Sequence, residues 1–560
     1  MSGTVRFTFD GTEIEGRYGE SLAAALTAAG VTSFRETSTG ATRSIFCGMG
    51  VCQDCLVDVD GNPNQRACMT KLDAPMTVRR EMFGRPLPKV TVSDPPRLIE
   101  SVPEEAPEVL VIGAGPAGLS AAIAARQAGA DVTVLDDRPM PGGQYFKQVL
   151  VDGPDVADPD KQHREGARLI AAARAAGVVI RSGVDVWGAY SANELIGTEN
   201  GLVHRFNPKR LIVATGAYER AVPMPGWTLP GVMTTGAAQT LWRSYRRLPG
   251  KRVLIAGNGP LNMQVASELH EGGAEVVGVV ELAEVSLAKA LPNFLQMLLA
   301  SPKLVFDGLR YRARLARVPI LYGSVVTRIE KTDEGLLACV ARYPGGDERT
   351  FTVGAVCLGY GFQPSNEILR ALGCAHHFDD ARGQFTALVD ERGRTSVPGV
   401  FTVGDCTGLG GARAALAEGT IVGAAVAADL GHSDIGSHGP VIDAERSLGR
   451  HRRFQKALWG FYAAPYLNLE LATPDTLVCR CEEVSLGRIE AALEDGRPSI
   501  GDLKRATRAG MGPCQGRYCG VILSQVLARK QGRLIDEDVR FAPRMPVKPV
   551  RIADIARWPS

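Results

Sequence analysis

Residues 109–136 read VLVIGAGPAGLSAAIAARQAGADVTVLD, and no other stretch restricts the fold of this chain so tightly. A short apolar strand runs into Gly113-Ala114-Gly115-Pro116-Ala117-Gly118, an apolar helix follows, and a second strand ends at Asp136. In such a β–α–β unit the first glycine allows the tight turn, the second lets a pyrophosphate approach the backbone, and the third lets helix and strand pack closely. The helix N-terminus offers unpaired N–H groups and the positive end of its dipole to phosphate. An acid about 20 residues further on accepts hydrogen bonds from a ribose hydroxyl. Gly113, Gly115, Ala117, Gly118 and Asp136 are therefore expected dinucleotide contacts on a parallel α/β sheet.

A second fingerprint follows at 252–270, RVLIAGNGPLNMQVASELH. Gly257 and Gly259 are correctly placed, but Asn262 occupies the position of the third glycine or alanine. A side chain there loosens helix–strand packing without blocking a phosphate site. The next strand leads to Glu281, with no arginine directly behind it to receive a 2′-phosphate, so NAD or an adenosine nucleotide is favoured over NADP and a vestigial site stays open.

At 560 residues the chain exceeds what one core usually supports, and several domains are expected. It carries twelve cysteines, eight of them in two groups near its ends. The start MSGTVRFTFDGTEIEG alternates like a strand rather than a targeting segment, no run of about 18 apolar residues occurs, and a cytoplasmic protein is expected. Reduced thiols in that compartment favour metal ligation over disulfides. Cys339, Cys357, Cys374 and Cys406 lie among apolar residues and are expected in the core.

Cys47, Cys52, Cys55 and Cys68 follow C-x4-C-x2-C-x12-C, the plant-type [2Fe–2S] spacing with a shortened last gap. Gly48 and Gly50 suit a loop that wraps a cluster closely and aims N–H groups at its sulfurs. The flanking VRFTF, TEIEGRY and CLVDVD alternate like strands, and GESLAAALTAAG has the look of a capped helix, together a β-grasp pattern. The alternative, a zinc site, normally uses two separated pairs. Near the other end, Cys479-x-Cys481 and Cys514-x4-Cys519 form two pairs 32 residues apart. A second cluster and a four-cysteine zinc site both suit that arrangement, although C-x-C is cramped for most zinc ribbons.

Charge narrows the class further. The net charge is +2, and no basic block with interleaved aromatics is present, so no nucleic-acid partner is expected. Cys339, Cys357, Cys374 and Cys406 form no C-x-x-C pair, so a thioredoxin-reductase-like dithiol is not expected either. The histidines, His270, His376 and His377 among them, form no catalytic motif, and the catalytic residues stay unassigned.

Three segments resemble those of two-dinucleotide-binding, glutathione-reductase-like flavoproteins: LIVATGAYE with Thr215 and Gly216, VPGVFTVGDCTG with Gly404 and Asp405, and PGGQ with Gly143 and Gln144. In that family the GD aspartate contacts the ribityl chain and the PGGQ segment approaches the isoalloxazine. The resemblance thus implies FAD. CRCEEVSLGRIEAAL and the basic KRATRAG run resemble the bacterioferritin-associated type of [2Fe–2S] domain, with C-x4-C in place of its usual C-x2-C.

In chain order, FCGMGVCQDCLVDVDG, GAGPAGL, PGGQ, GAAQTLW, AGNGPLN, CRCEEV and TRAGMGPCQGRYCG resemble the large subunits of bacterial heteromeric amine and amino-acid dehydrogenases. These include opine oxidase, hydroxyproline and proline dehydrogenases, hydrogen cyanide synthase and heterotetrameric sarcosine oxidase. The resemblance implies an electron-transfer subunit holding FAD and two [2Fe–2S] clusters, with NAD or ATP in the second nucleotide site and an FMN at the subunit interface as further candidates. It also implies a smaller, glycine-oxidase-like FAD partner in a hetero-oligomer, and an external electron acceptor. The competing functional reading is an NADH-dependent reductase feeding an oxygenase or ferredoxin; a third is a nucleotide-binding scaffold with inert clusters. The expected division is a ferredoxin-like domain at 1–91, a linker at 92–108, and a flavin domain at 109–440 with a second nucleotide-binding insert at about 225–350. A connector at 441–473, a small helical cluster domain at 474–530 and a tail at 531–560 complete it.

Overall fold

A computed structural model describes residues 3–82, 84, 102–151, 159–432, 439–496 and 499–556. Residues 92–101 of the expected linker lie outside them. The N-terminal part is a five-stranded sheet in the order Thr12–Arg17, Thr4–Phe9, Thr77–Arg80, Leu56–Val59, Asn62–Arg66. Strand Thr4–Phe9 pairs antiparallel with Thr12–Arg17 and parallel with Thr77–Arg80, which is the β-grasp arrangement expected from the alternation. Ser21 accepts from the Ala24 N–H and starts helix Leu22–Ala28, whose face buries Leu22 and Leu26 under the sheet.

Two parallel sheets form the centre. In the first, Val179–Ser182, Val132–Asp136, Val109–Ile112, Arg210–Val213 and Val400–Thr402 lie side by side. The strands at its centre are fully buried apolar runs because helices cover the sheet. Helix Pro116–Gln127 packs so tightly on helix Ala412–Asp429 that a Cβ at Gly423 would stand 2.1 Å from the Ala121 carbonyl oxygen. The second sheet has the order Val232–Thr234, Ala355–Gly359, Arg252–Gly257, Glu275–Glu281, Ile320–Tyr322, again parallel, so the sheet of the insert expected at about 225–350 takes in residues as far as Gly359. The Asn262 side chain bridges helix and strand: its amide donates to the Gly359 carbonyl at 3.0 Å and its oxygen accepts from Thr235 at 2.9 Å.

The 23-residue helix Gly439–Phe461 begins two residues before the expected connector and fills more than its first half. Beyond it lie the short hairpin Leu477–Cys479 with Val484–Ser485 and three helices, Leu486–Glu494, Ile500–Thr507 and Cys519–Gln531.

The parts do not keep separate cores. Phe7, Phe9, Leu22 and Leu26 of the N-terminal sheet and helix share one apolar cluster with Met233, Leu241, Val253 and Leu269 of the central insert. A second cluster joins Phe46, Cys47 and Cys52 to Tyr218, Trp227, Cys514 and Tyr518. Cys339, Cys357, Cys374 and Cys406 are all buried, as expected of small core residues. Among the described residues no helix is long and apolar enough to cross a membrane.

Candidate functional site

A cavity of about 720 Å³ runs between the two parallel sheets, within the size range of cofactor pockets. Gly113, Gly115, Ala117, Asp136, Gly143, Gln144, Thr215, Gly216 and Asp405 all line it, so residues far apart in sequence meet at one wall. Gly118 and Gly404 stand behind that wall: a Cβ on Gly118 would lie 1.9 Å from the Gly113 carbonyl oxygen, and one on Gly404 2.8 Å from Ala117 Cβ. Their role is close packing.

The wall fits a bound dinucleotide. Helices Pro116–Gln127 and Ala412–Asp429 both begin at glycines, Gly115 and Gly411, with no side-chain cap, leaving N–H groups directed at the cavity. Gln144 Nε2 is buried there with no hydrogen-bond partner, an orphan donor that a ligand would satisfy. Asp136 accepts from the N–H groups of Ala114 at 2.6 Å and Arg138 at 2.9 Å; burial and the adjacent Asp137 push its carboxyl up to about 6. Asp405 accepts from Gly410 at 3.1 Å and Gly411 at 3.0 Å, and burial raises its carboxyl too.

Sequence reasoning missed two charged groups here. Lys147 Nζ donates to the Gln144 carbonyl at 2.8 Å and to Gln239 Oε1 at 2.9 Å, and burial pushes the ammonium down to about 7. Glu219 takes the Gly236 N–H at 2.8 Å and 3.0 Å on its two oxygens, and burial pushes its carboxyl up to about 7. Glu219 ends the LIVATGAYE segment and Lys147 lies three residues after Gln144, but no motif marks either side chain, and the fold brings both to the cavity.

At the Asp136 end, Lys548 joins Asp137 at 3.0 Å and Asp185 at 2.8 Å. Burial raises the Asp137 carboxyl, but Lys548 and Arg138 more than reverse that and hold it at about 2, below its ordinary 3.8. Burial works against the Lys548 ammonium, yet the two carboxylates raise it above its ordinary 10.5. A lowered acid stabilises the fold above its unfolded value and loses that contribution as pH falls through about 2; a raised base does so below its unfolded value. The pair therefore stabilises between about pH 4 and pH 10. With Lys548 27% and Asp137 34% exposed, solvent screens it. Lys548→Met is expected to cost about 1–2 kcal/mol in thermal melts at neutral pH, shrinking towards pH 2. An undiminished cost at pH 2 would show that packing, not charge, is lost.

The second fingerprint shares the cavity through Asn258 and Gly259. Helix Pro260–Glu271 begins at Gly259, also without a side-chain cap, and Asn258 Oδ1 is buried with no partner. Glu281 accepts from the N–H groups of Gly259 and Ala283, each at 3.0 Å, and burial pushes its carboxyl up to about 8. Gly257 and Glu281 do not reach the cavity wall.

The first cysteine loop forms another part of the same wall, through Cys47, Met49, Gly50, Val51 and Gln53. Its sulfurs pair: the Cys52 thiol donates to Cys47 and the Cys68 thiol to Cys55. Burial raises the Cys47 thiol, but that bond and the N–H groups of Cys52, Met49 and Val51 bring it down to about 6. Gly48 and Gly50 sit at φ +62° and +76°, and Gly48 lies so close to Ala237 that a Cβ would be 3.0 Å from its Cα. Two sulfur pairs with N–H groups aimed at them suit a two-iron centre, in which each iron takes two thiolates.

In the second set, Cys481 Sγ lies 3.3 Å from Cys514 Sγ. Thiol donation from Cys481 and Cys519 holds Cys479 well below its ordinary range. Gln515 and Gly516, both at positive φ, absorb the longer C-x4-C gap as a turn before helix Cys519–Gln531. Among the described residues, no three His, Cys, Asp or Glu side chains converge as the ligands of one metal ion would. The sulfurs of the first set lie in two contacting pairs, and those of the second form a chain of contacts from Cys519 through Cys479 and Cys481 to Cys514.

Residues 107–425 match the family described as pyridine nucleotide-disulphide oxidoreductase, residues 2–82 the 2Fe-2S iron-sulfur cluster binding domain, and residues 473–557 the sarcosine oxidase A3 domain. The chain is 33% identical over 469 residues to an opine oxidase subunit of Agrobacterium tumefaciens, a match covering 81% of this chain and 92% of that one. It is 34% identical over 464 residues to hydrogen cyanide synthase subunit HcnB of Pseudomonas aeruginosa, covering 79% and 96%. Among solved structures it resembles L-proline dehydrogenase from P. horikoshii, with TM-score 0.71 over 99% of this chain and 98% of that one. At 20% identity this last likeness is one of fold.

Proposed function

The chain belongs to the pyridine nucleotide-disulphide oxidoreductase family, among the relatives of opine oxidase and hydrogen cyanide synthase subunits, and we propose that it is the electron-relay subunit of a heteromeric amine or amino-acid dehydrogenase. It is an oxidoreductase that takes FAD and a [2Fe–2S] cluster. When bound, FAD accepts an electron pair and an iron–sulfur cluster a single electron.

The observation that carries this reading is the shared wall of the cavity. Gly115, Gly143, Gln144 and Asp405 on one side would hold the flavin, while Cys47, Met49, Gly50 and Val51 on the other bring the first cysteine loop to the same space. Asp136 and Asp405 would accept hydrogen bonds from the adenosine ribose and the ribityl chain. Gly113, Ala117, Thr215 and Gly216 would line the path between them. Lys147, fixed by Gln144 and Gln239, would hold a proton beside the ring system. Cys47, Cys52, Cys55 and Cys68 would ligate the first cluster, and Cys479, Cys481, Cys514 and Cys519 a second. NAD or ATP is proposed for the site of Gly257, Gly259 and Glu281, supported by the uncapped helix at Gly259 and the orphan Asn258 oxygen. The chain would divide along the boundaries its sequence suggests, apart from the insert, whose sheet takes in strand Ala355–Gly359, with the small C-terminal helical unit holding the second cluster.

Substrate oxidation at a C–N bond is assigned to a smaller flavoprotein partner, because the cavity collects cofactor-binding loops and the histidines of the chain form no catalytic motif. The test is anaerobic titration of the co-expressed complex. A secondary amine or imino acid is expected to bleach the flavin and NADH is not. Bleaching by NADH within a turnover, with no response to amines, would replace this reading by that of an NADH-dependent reductase.

A further inference from the structure

Asp54 lies between Cys52 and Cys55, Arg480 lies between Cys479 and Cys481, and the two side chains meet: Arg480 Nε is 2.7 Å from Asp54 Oδ2. Both are buried, at 0% and 5% exposure. Arg35 completes the Asp54 carboxylate from the other side at 3.2 Å, and Arg480 Nη1 donates to the Trp227 carbonyl at 2.6 Å. The Arg480 guanidinium lies over the Phe46 ring, 3.8 Å from its centroid, and 4.6 Å from that of Trp227. Phe46, directly before Cys47, stands edge-on to Tyr518, directly before Cys519, with centroids 5.4 Å apart. A second bridge between the same two loops, Arg43 to Glu483 at 2.9 Å, is equally buried.

Building on the two-cluster reading above, we propose that Asp54 and Arg480 are positioning residues that clamp the two cysteine loops together and set the charge between their clusters, making the clusters a coupled pair. A buried ion pair is weak evidence of stability, since apolar residues of similar volume often serve as well. Its placement is what counts. Arg35, Arg43 and Arg480 against Asp54 and Glu483 give three positive and two negative groups, a net +1 at the junction of two loops whose centres are each anionic when ligated by four thiolates. That excess favours the reduced state of both. Arginine suits the place because one planar group stacks on Phe46 and Trp227 while donating sideways to Asp54, which lysine cannot do. The exchange served is one electron from one iron to another, with no bond broken and no proton moved.

The test uses the holo complex, reduced stepwise and followed by EPR. The wild type is expected to give two reduced-cluster signals that split or broaden one another at full reduction. Arg480→Met should keep both signals, lose the mutual splitting and lower a cluster's reduction equilibrium at least tenfold, 59 mV for a one-electron couple. Asp54→Asn, which keeps the size and leaves Arg480 in place, should shift the potential in the opposite direction; it serves as the deciding variant if Arg480→Met fails to fold. Arg480→Lys should restore the potential but not the splitting. Unshifted potentials and undiminished splitting in Asp54→Asn, or shifts of the same sign in Asp54→Asn and Arg480→Met, would overturn the proposal. A wild type with iron and signal for one cluster would overturn the two-cluster reading itself, before any substitution is made.

Discussion

Replacing Gly118 with valine is expected to give a chain that binds flavin at least about tenfold more weakly, equivalent to about 1.4 kcal/mol of binding free energy. The smallest possible side chain there would already place Cβ 1.9 Å from the Gly113 carbonyl oxygen, 3.1 Å from its carbon and 3.2 Å from Val111 Cγ1. Two of those atoms are backbone in the turn that aims the helix N-terminus, so relief requires the helix beginning at Pro116 to move off the strand Val109–Ile112. Overpacking a core usually costs about 1–3 kcal/mol, and here the misplaced element is the phosphate cradle itself. Flavin absorbance of the purified protein reads the effect. Gly449→Ala, in helix Gly439–Phe461 with nothing within 4 Å of the new Cβ, is the control and should gain up to about 1 kcal/mol. Full flavin occupancy in Gly118→Val would remove the FAD assignment from this turn.

Cys52→Ser is expected to remove about half of the bound iron and to stop electron delivery to one-electron acceptors, while flavin stays bound. Cys52 is 4% exposed and belongs to the apolar cluster with Tyr218 and Tyr518, and it does not line the cavity proposed for flavin, whereas Cys47 does. A serine hydroxyl fits the volume but replaces the thiolate that a cluster iron requires. Iron analysis, EPR of the reduced complex and flavin absorbance together separate the outcomes. Unchanged iron would sink the ligand assignment. Loss of flavin alongside iron would show that Met49, Gly50 and Val51 hold their stretch of the cavity wall only when the cluster orders the loop.

Much of this site was legible from local sequence, for reasons that are themselves local. A glycine turn, a strand ending in an acid and thiolates at close intervals are short-range requirements of phosphate and iron. Gly113, Gly115 and Asp136, which the fold brings to one cavity wall, could therefore be named as candidates from sequence, and so could the cysteine sets. Asn262 illustrates the limit. As a departure from a motif it suggested a loosened turn, but its partners Gly359 and Thr235 lie 97 and 27 positions away, and they turn the departure into a bridge between strand and helix. Lys147 and Glu219 stand beside or at the end of quoted segments, yet neither side chain drew notice, because a lysine or glutamate carries no signal until burial gives it one.

Which parts exist can be read along the chain: an α/β scaffold with two glycine-rich turns of dinucleotide-binding type, two sets of four cysteines and the residue types that suit FAD and iron. How those parts face one another emerges only on folding. The first cysteine loop became a wall of the same cavity as the glycine-rich turns, the N-terminal sheet merged its core with the central insert, and Asp54 found Arg480 across 426 positions. Cofactor motifs are written in neighbouring residues by chemistry, whereas the distance between two cofactors is set by which apolar faces bury together, and many sequences can bury the same face.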